Sequence, residues 1–131
     1  MSIELSFKET FHSVGQGLFY SATIECDGQK ILIVYDCGSE RILSLRDEIK
    51  RFKRRNFQKK EIDLLIISHF HEDHVNGLRE LLDEFDVRNI VIPYIHPVVR
   101  LGWALKSRTA NLWYYEFLAN PVRFLIVDQK R

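Results

Sequence analysis

Residues 62–67 read Ile-Asp-Leu-Leu-Ile-Ile, and this nearly continuous apolar run is followed at once by a polar segment rich in histidine. A short apolar run is typical of a strand covered on both faces, as in sheets that pack against helices. The 3.6-residue period of a helix then begins with Leu78, Leu81 and Phe85. The succession of buried strand, polar loop and helix predicts an α/β fold.

The first 60 residues predict three strands and a helix. Alternation in residues 3–7 predicts a half-buried strand, and residues 18–26 and 31–35 predict two strands joined by a hairpin turn at Asp27-Gly28. Residues 42–52 carry apolar side chains at helical spacing, with arginine and lysine on the other faces. These elements predict the antiparallel part of a mixed sheet and the first of two or three helices.

The remaining residues predict a strand over 89–95, a helix within 101–118 that ends at Asn120-Pro121, and a final strand over 124–127. A chain of 131 residues has the length of one ordinary domain. The sequence therefore predicts a single α/β domain over residues 1–131.

Composition excludes several classes of protein. The chain is 46% apolar with a formal net charge of +1, so it is not disordered, and bulk charge does not select nucleic acid as a partner. Its apolar runs are far shorter than the ~20 residues of a membrane span, and residues 1–10 do not resemble a secretory signal. No membrane partner is therefore expected. Cys26 and Cys37 form no CxxC pair, which predicts free thiols in a reducing, cytoplasmic compartment.

Charge is distributed unevenly along the chain. Residues 46–60 hold eight basic and two acidic side chains, whereas residues 61–96 hold two basic and eight acidic ones. A solvated helix face is the simplest interpretation of the basic block. The alternative is that it attracts an anionic substrate toward a cation site formed by the acids and histidines that follow it.

The chemistry of the sequence is concentrated in the segment Ser68–Gly77, the histidine loop, where three of the five histidines and two acids lie within six residues. Imidazole and carboxylate groups are ligands for zinc, manganese or iron. In extended backbone His69 and His71 point the same way, and Asp73 and His74 can face the same space from the start of the following helix. The spacing differs from that of HExxH metalloproteases. It predicts a metal site formed by these four side chains.

Three stretches of this sequence together resemble the metallo-β-lactamase-fold hydrolases. Residues 69–74 match the HxHxDH signature of that family, and residues 31–38 resemble its strand that ends in an Asp near a Gly. Val14-Gly15-Gln16-Gly17 is similar to the VGQG turn of the competence-type (ComEC-like) branch. The resemblance covers residues 5–95 and implies the first half of an αββα sandwich.

The resemblance implies a role for each ligand. His69 and His71 would bind one divalent cation, and Asp73 and His74 would bind a second, with zinc as the expected metal and manganese or iron as alternatives. The cations would lower the pKa of a shared water molecule, and Asp73 would orient the resulting hydroxide as a catalytic residue. Asp36 would hold the histidine loop by hydrogen bonds from behind the metals.

The reaction of the family is hydrolysis of an ester, amide, thioester or phosphodiester, and the competence-type branch points to a nucleic-acid phosphodiester. The resemblance therefore implies an anionic or ester substrate, with nucleic acid as a candidate. Gln16, within the VGQG turn, and His12, just before it, are candidates to face that substrate. For His12, a structural role is an equal alternative.

The sequence departs from the family pattern after residue 95. The family's second half supplies two further histidines and a bridging Asp, whereas His96 follows a strand too closely and Asp128 lacks the Gly that normally precedes it. We therefore expect a domain truncated in its C-terminal half and an isolated chain of weak activity. Two ligands per cation correspond to dissociation constants on the order of micromolar to a few hundred micromolar.

Two functions from different classes follow. The first is a metal-dependent hydrolase in which activated water attacks an ester or phosphodiester. The second is a non-catalytic fragment or regulatory subunit that needs a partner to complete the metal site. The aromatic residues within 103–117 either cover the sheet or form the interface with such a second subunit.

Overall fold

In a computed structural model, which describes residues 2–109 and 111–127, the chain divides into two units, Met1–Ile92 and Pro93–Arg131. The first unit is built on a five-stranded mixed sheet, which confirms the predicted α/β fold. The extent of the domain, 1–131, stays a prediction. Among the described residues, none of the helices combines the length and apolar character that crossing a membrane requires.

The sheet has the strand order β1-β2-β3-β5-β7, in which the first three strands are antiparallel and the last three are parallel. A second sheet pairs β4 with β6 in parallel. The strands are β1 Leu5–Phe11, β2 Gly17–Cys26, β3 Gln29–Ser39, β4 Glu61–Ile62, β5 Leu64–Ile66, β6 Asp86–Val87 and β7 Ile90–Val91. The helices of this unit are α1 Ile42–Arg55, α2 Glu72–Val75 and α3 Leu78–Glu84.

The hairpin between β2 and β3 forms where the sequence predicts it. Asp27 and Gly28 both adopt positive φ, at 49° and 79°, and Cys26 pairs with Gln29. Two successive residues of positive φ match the twist of antiparallel strands, and Asp-Gly tolerates that conformation well. The turn therefore fixes the register of the two longest strands as far as Tyr20 and Tyr35, beyond which the pairing shifts by one residue at Asp36.

The apolar run at 62–67 is divided between the two sheets at Asp63. The backbone N–H of Asp63 donates to the carbonyl of Leu32 at 2.9 Å, and the Asp63 carboxylate accepts from the N–H of Leu32 at 2.8 Å. Two bonds from one residue to the same backbone position replace the regular ladder here. The single strand predicted over 62–67 is therefore two strands, β4 and β5, and the Asp63 residue between them bonds to Leu32.

Helix α1 packs its apolar stripe on one face of the sheet, as its periodicity predicts. Leu45, Ile49 and Phe52 are each about 1% exposed, and the Phe52 ring lies 5.4 Å from that of Phe19 and 5.0 Å from that of Phe85. The basic residues of the helix occupy its other faces. The helix thus covers one side of the sheet and carries positive charge outward.

The prediction of a half-buried first strand is wrong in its burial. The strand forms as β1, but Leu5, Phe7 and Phe11 are 67%, 59% and 71% exposed. These odd-numbered side chains lie on the face opposite α1, at the edge strand of the sheet. Alternation predicts two different faces, but it does not specify that either face is covered.

The regular elements among the described residues of the second unit are helices, which contradicts the strand predicted over 124–127. Asn120 caps a helix there, because its side-chain oxygen accepts the N–H of Arg123 at 3.0 Å and Pro121 follows at the first helical position. The predicted helix within 101–118 is two helices. This unit contains α4 Pro97–Lys106, α5 Leu112–Ala119 and α6 Pro121–Ile126. Asp128 lies outside the described residues.

Candidate metal centre

The candidate site lies at the edge of the sheet where strand β5 ends beside β3. Tyr35 of β3 pairs with Ile66 of β5 in parallel register, so the residues that follow them emerge side by side. Asp36 comes directly after Tyr35, and the histidine loop, Ser68–Gly77, starts two residues after Ile66. Parallel pairing thus brings together residues about 30 positions apart in the chain.

Asp36 connects the two segments through three hydrogen bonds and is fully buried. Its Oδ1 accepts the backbone N–H of Ser68 at 2.7 Å. Its Oδ2 accepts from the Ser68 hydroxyl and lies 2.8 Å from Nδ1 of His74. The backbone of Asp36 has a φ of 57°, a conformation that non-glycine residues rarely adopt. Such strain is typical of a residue whose position is fixed by function.

These hydrogen bonds determine which ring nitrogens are available to a metal. His74 Nδ1 must carry its proton in order to donate to the Asp36 carboxylate, which leaves Nε2 with a free lone pair. The Ser68 hydroxyl donates to Asp36 and therefore accepts from Nδ1 of His69 at 2.8 Å. His69 Nε2 is then also a lone-pair donor. One carboxylate thus prepares two imidazoles for metal binding.

The other two predicted ligands lie in the same place. The rings of His69 and His71 have centroids 4.9 Å apart, and Phe70 between them is buried in the core. The ring of His74 lies 3.8 Å from that of His69, and Asp73 Oδ2 lies 3.9 Å from His74 Nε2. The four side chains therefore lie near one another at one edge of the sheet, and among the described residues the ligand atoms of His69 and His74, with Asp36, are those that fall within 4.8 Å of one another.

Two glycines allow the histidine loop to approach the sheet closely. A Cβ atom on Gly38 would lie 2.5 Å from backbone atoms of Asp73 and His74, and one on Gly17 would lie 2.5 Å from the backbone oxygen of Asp73. Gly17 also has a φ of 129°. Any larger residue would displace the backbone that carries two of the predicted ligands. The close approach gives a physical reason for the glycines in both motifs.

Asn76 is a residue that sequence reasoning missed, as is Ser68. The Asn76 side chain accepts the N–H of Ser39 at 2.9 Å and donates to the Ser39 carbonyl at 2.6 Å. This pairing imitates a strand partner and fixes the end of α2 against β3. The sequence feature that could have identified them is their position, because Ser68 begins the histidine loop and Asn76 lies near its end.

Burial lowers the pKa of His69 below the usual value of 6.5, and charge on His74 and His71 lowers it further. Asp36 and Asp73 act in the opposite direction. A lowered pKa keeps the imidazole neutral near pH 7, which is the form that binds metals. The electrostatics of the loop therefore suit a cation at the centre of the cluster.

Other residues considered from the sequence lie away from this cluster or carry no chemistry in it. His12 is 7% exposed, with Nε2 2.8 Å from the Ser21 hydroxyl and Nδ1 3.4 Å from Glu48. Gln16 is exposed, and its carbonyl accepts the N–H of Glu40 at 2.8 Å. Burial raises the pKa of the Cys37 thiol well above its usual value, so Cys37 stays protonated.

The residues present fit a divalent cation. One ligand atom each from Asp36, His69 and His74 can lie within 4.8 Å of the others. Two imidazole nitrogens and a carboxylate are a donor set that zinc, manganese and iron accept. Asp36 Oδ2 already accepts from Ser68 and His74. Asp36 is thus engaged in holding the histidine loop, whereas the Nε2 atoms of His69 and His74 keep their lone pairs.

Comparison with known proteins agrees with this geometry. Residues 18–130 match the Metallo-beta-lactamase superfamily, and the chain belongs to that superfamily. It is also similar to ribonuclease J of Mycoplasma genitalium, with 33% identity over 93 residues. That alignment covers 68% of this chain and 16% of the relative. The chain therefore corresponds to a small part of the length of that protein.

Proposed function

We propose that the chain is a metal-dependent hydrolase that acts on a phosphodiester of nucleic acid. The observation that carries the proposal is the buried carboxylate of Asp36, which bonds to His74 directly and to His69 through Ser68 and so leaves Nε2 of each ring with its lone pair. Superfamily membership supports hydrolysis, and the likeness to a relative named ribonuclease supports RNA as the substrate class. The VGQG turn, which resembles the competence-type branch, also favours nucleic acid.

The proposed ligands are His69, His71, Asp73 and His74, with two divalent cations, most simply zinc. A divalent cation supplies Lewis acidity that makes water nucleophilic near neutral pH. Asp73 is the proposed catalytic residue, because its carboxylate adjoins His74 Nε2 and can accept a hydrogen bond from attacking water. Asp36 holds the imidazole protons on Nδ1 throughout, so that the ligand atoms keep their lone pairs.

Part of the basic face of α1 is available to attract an anionic substrate. Arg46 and Lys53 pair with Glu80 and Glu84 of α3, which reduces their contribution. Arg51 pairs with Glu48 of the same helix, so Lys50, Arg54 and Arg55 supply the remaining charge. Such charge raises the rate at which an anion encounters the protein, and added salt weakens the effect. A cytoplasmic location stays part of the proposal.

A second candidate is a non-catalytic subunit whose partner completes the metal site. The observation that favours it is the small size of the ligand group. In the part of the chain that the structure describes, one group of three gathered ligand atoms is found, and it includes the already engaged Asp36. A catalytic zinc normally takes three protein ligands and keeps one open position.

Metal binding and turnover by the full chain test the two candidates together. The wild type is expected to bind zinc or manganese and to cleave a fluorescently labelled single-stranded RNA, with the activity lost in EDTA. Asp73→Asn and His71→Ala should each abolish cleavage while the circular dichroism spectrum is retained. His96→Gln, a change of an exposed histidine outside the cluster, is the matched control.

The outcomes separate the two functions. Metal binding with cleavage that depends on Asp73 supports the hydrolase. Metal binding without cleavage of RNA or of a simple phosphodiester supports the non-catalytic subunit and contradicts the hydrolase. A chain that binds no divalent cation contradicts the hydrolase, because the histidine loop then holds no metal in this chain; the second candidate does not require binding without its partner.

A further inference from the structure

A polar cavity of about 300 Å³ lies on the α1 side of the sheet, away from the histidine loop. It is bounded by the even-numbered residues of β1, their partners on β2, the start of β3 and the C-terminal end of α1. Leu32 and Phe52 form apolar parts of its wall, and His12 and Ser21 are buried residues that also line it. Apart from Arg55, which belongs to the exposed basic residues of α1, no residue of the proposed hydrolytic mechanism lines this cavity.

Three cations line the cavity, and each comes from a different element. Lys8 belongs to β1, Lys30 to β3 and Arg55 to the last turn of α1. None of the three forms an ion pair within residues 2–109 and 111–127. Glu25 is the acidic residue in the lining, so the cavity has an excess of two positive charges, three minus one.

Charges of both signs lie near the deep wall of the cavity. Burial is the largest cause that lowers the pKa of His12 there, Glu48 in contact with it raises that pKa, and the charge of Arg55 lowers it. Elsewhere in this unit, basic side chains find carboxylates, as Lys53 does with Glu84 and Lys59 with Asp63. Lys30 is the cross-strand partner of Glu25, which offsets part of its charge, but the surplus of cations over this one acidic residue of the lining still raises the potential of the concave surface and favours an anion.

The remaining lining groups suit an oxyanion. Thr10 and Thr23 add hydroxyl donors on adjacent strands, whereas the side chain of Asn56, at the end of α1, already donates to the carbonyl of Phe52 at 2.9 Å. Lys8 pairs opposite Thr23, so its side chain starts about 5 Å away on the neighbouring strand. Lysine, arginine and hydroxyl groups are the side chains that bind phosphate oxygens through charge-assisted hydrogen bonds.

We propose that this cavity binds a phosphate group, with Lys8, Lys30 and Arg55 as its charged contacts. Lys30 and Asp36 are six residues apart on β3, which corresponds to roughly 20 Å along an extended strand. The phosphate site is therefore separate from the candidate metal centre. It depends on different residues, so it holds whether or not the metal centre is catalytic.

Titration of the full chain with inorganic phosphate, followed by backbone amide NMR signals in the presence of EDTA, tests the proposal. Saturable shifts are expected at Thr10, Thr23 and Lys30. Lys30→Met and Arg55→Gln should each weaken binding by roughly fivefold or more, since each removes one charged contact. Arg54→Gln is the matched control, because Arg54 is the exposed neighbour of Arg55 and does not line the cavity.

A second titration with a short single-stranded RNA identifies the source of the phosphate. Binding of both ligands with the same variant effects assigns the site to a nucleic-acid backbone. Binding of inorganic phosphate alone assigns it to a small phosphorylated molecule. Absence of saturable shifts with either ligand overturns the proposal, as does equal weakening by Arg54→Gln and Arg55→Gln.

Discussion

Asp36 accepts hydrogen bonds from the backbone and side chain of Ser68 and from the ring of His74, and it adopts a φ of 57° to do so. An asparagine tolerates that backbone conformation but cannot reproduce the bonds. If its NH₂ group faces His74, the ring must give up its Nδ1 proton and Nε2 becomes protonated. If the amide is reversed, its NH₂ group faces the N–H of Ser68, so two hydrogen-bond donors face each other.

Asp36→Asn is therefore expected to weaken zinc affinity by about 10–100-fold, with the fold retained, because it changes the tautomer of His74. Isothermal titration with zinc measures the effect. Asp83→Asn, at an exposed position of α3, removes the same charge and should leave the affinity unchanged. Equal affinities of Asp36→Asn and wild type would show that the carboxylate does not prepare the imidazoles.

His12 provides a second prediction at this scale, one of stability against pH. Burial lowers its pKa below 6.5, an effect larger than the opposing one of Glu48. The unfolded chain therefore binds a proton that the folded chain excludes as the pH falls below 6.5. The free energy of unfolding should decrease there, with a slope of at most about 1.36 kcal/mol per pH unit from this residue.

Urea unfolding between about pH 5 and 8, with EDTA present, measures that slope. His12→Gln should be less stable than wild type, because the ring stacks on Phe19 with centroids 3.9 Å apart. Its stability should nevertheless depend less on pH. His96→Gln should keep the full slope, and an unchanged slope in His12→Gln would assign the pH dependence to other groups.

Residue-level prediction works best where the chemistry is local. His69, His71, Asp73 and His74 are close in sequence, so their spacing alone predicts that they face one space. Asp36 is more than 30 residues away, and only the family resemblance pointed to it. Ser68 and Asn76 were missed, because serine and asparagine are common in loops, and their bonds to β3 depend on tertiary structure.

At the scale of secondary-structure elements, periodicity predicts the helices and strands that bury one face. The apolar stripe of α1 and the Asp27-Gly28 turn identify a helix and a hairpin, because each signal lies within its own element. The apolar run at 124–127 has no comparable periodicity. The cap formed by Asn120 and Pro121 starts a helix there. The cap was therefore a stronger sequence signal for a helix than the apolar run was for a strand.

Gly38→Ala tests the close approach between β3 and the histidine loop. Its Cβ would lie 2.5 Å from the backbone of Asp73 and His74, so the loop must move. We expect zinc binding to fall at least as much as with Asp36→Asn and the unfolding midpoint to decrease. Gly102→Ala is the control, since a Cβ there meets nothing within 4 Å and alanine favours the helix α4.

Calorimetric melting and zinc titration of the two glycine variants provide the comparison. The control should melt at the same temperature as wild type or slightly higher. Wild-type zinc affinity in Gly38→Ala would contradict the structure, because the backbone of the loop could not occupy its described position.

The division of the chain into two units belongs to the scale of the whole molecule, and no local pattern predicted it. The boundary follows Ile92, where Pro93 interrupts the predicted strand over 89–95 and leaves β7 with two residues. Proline lacks the N–H that a sheet requires, so this residue marks the end of the sheet. Periodicity describes single elements. It does not indicate which segments after Pro93 pack together, because that depends on tertiary contacts.

Metal binding should stabilise the first unit, because the proposed ligands lie between β5 and α2 and Asp36 connects them to β3 by hydrogen bonds. Zinc at about 100 times its dissociation constant adds about 2.7 kcal/mol to the free energy of unfolding, provided that the unfolded chain does not bind it. Amide hydrogen exchange in β3 and β5 should slow by up to about 100-fold. Exchange is the suitable measurement, since Trp103 and Trp113 both lie in the second unit.

A double variant, His69→Gln with His74→Gln, provides the control for this protection. It should exchange at the same rate with and without zinc, because both prepared Nε2 atoms are gone. Calcium should leave the wild type unchanged, since it binds oxygen ligands and gains little from imidazole. Equal zinc protection in the wild type and the double variant would place the metal elsewhere and would remove the physical basis of the proposed hydrolase.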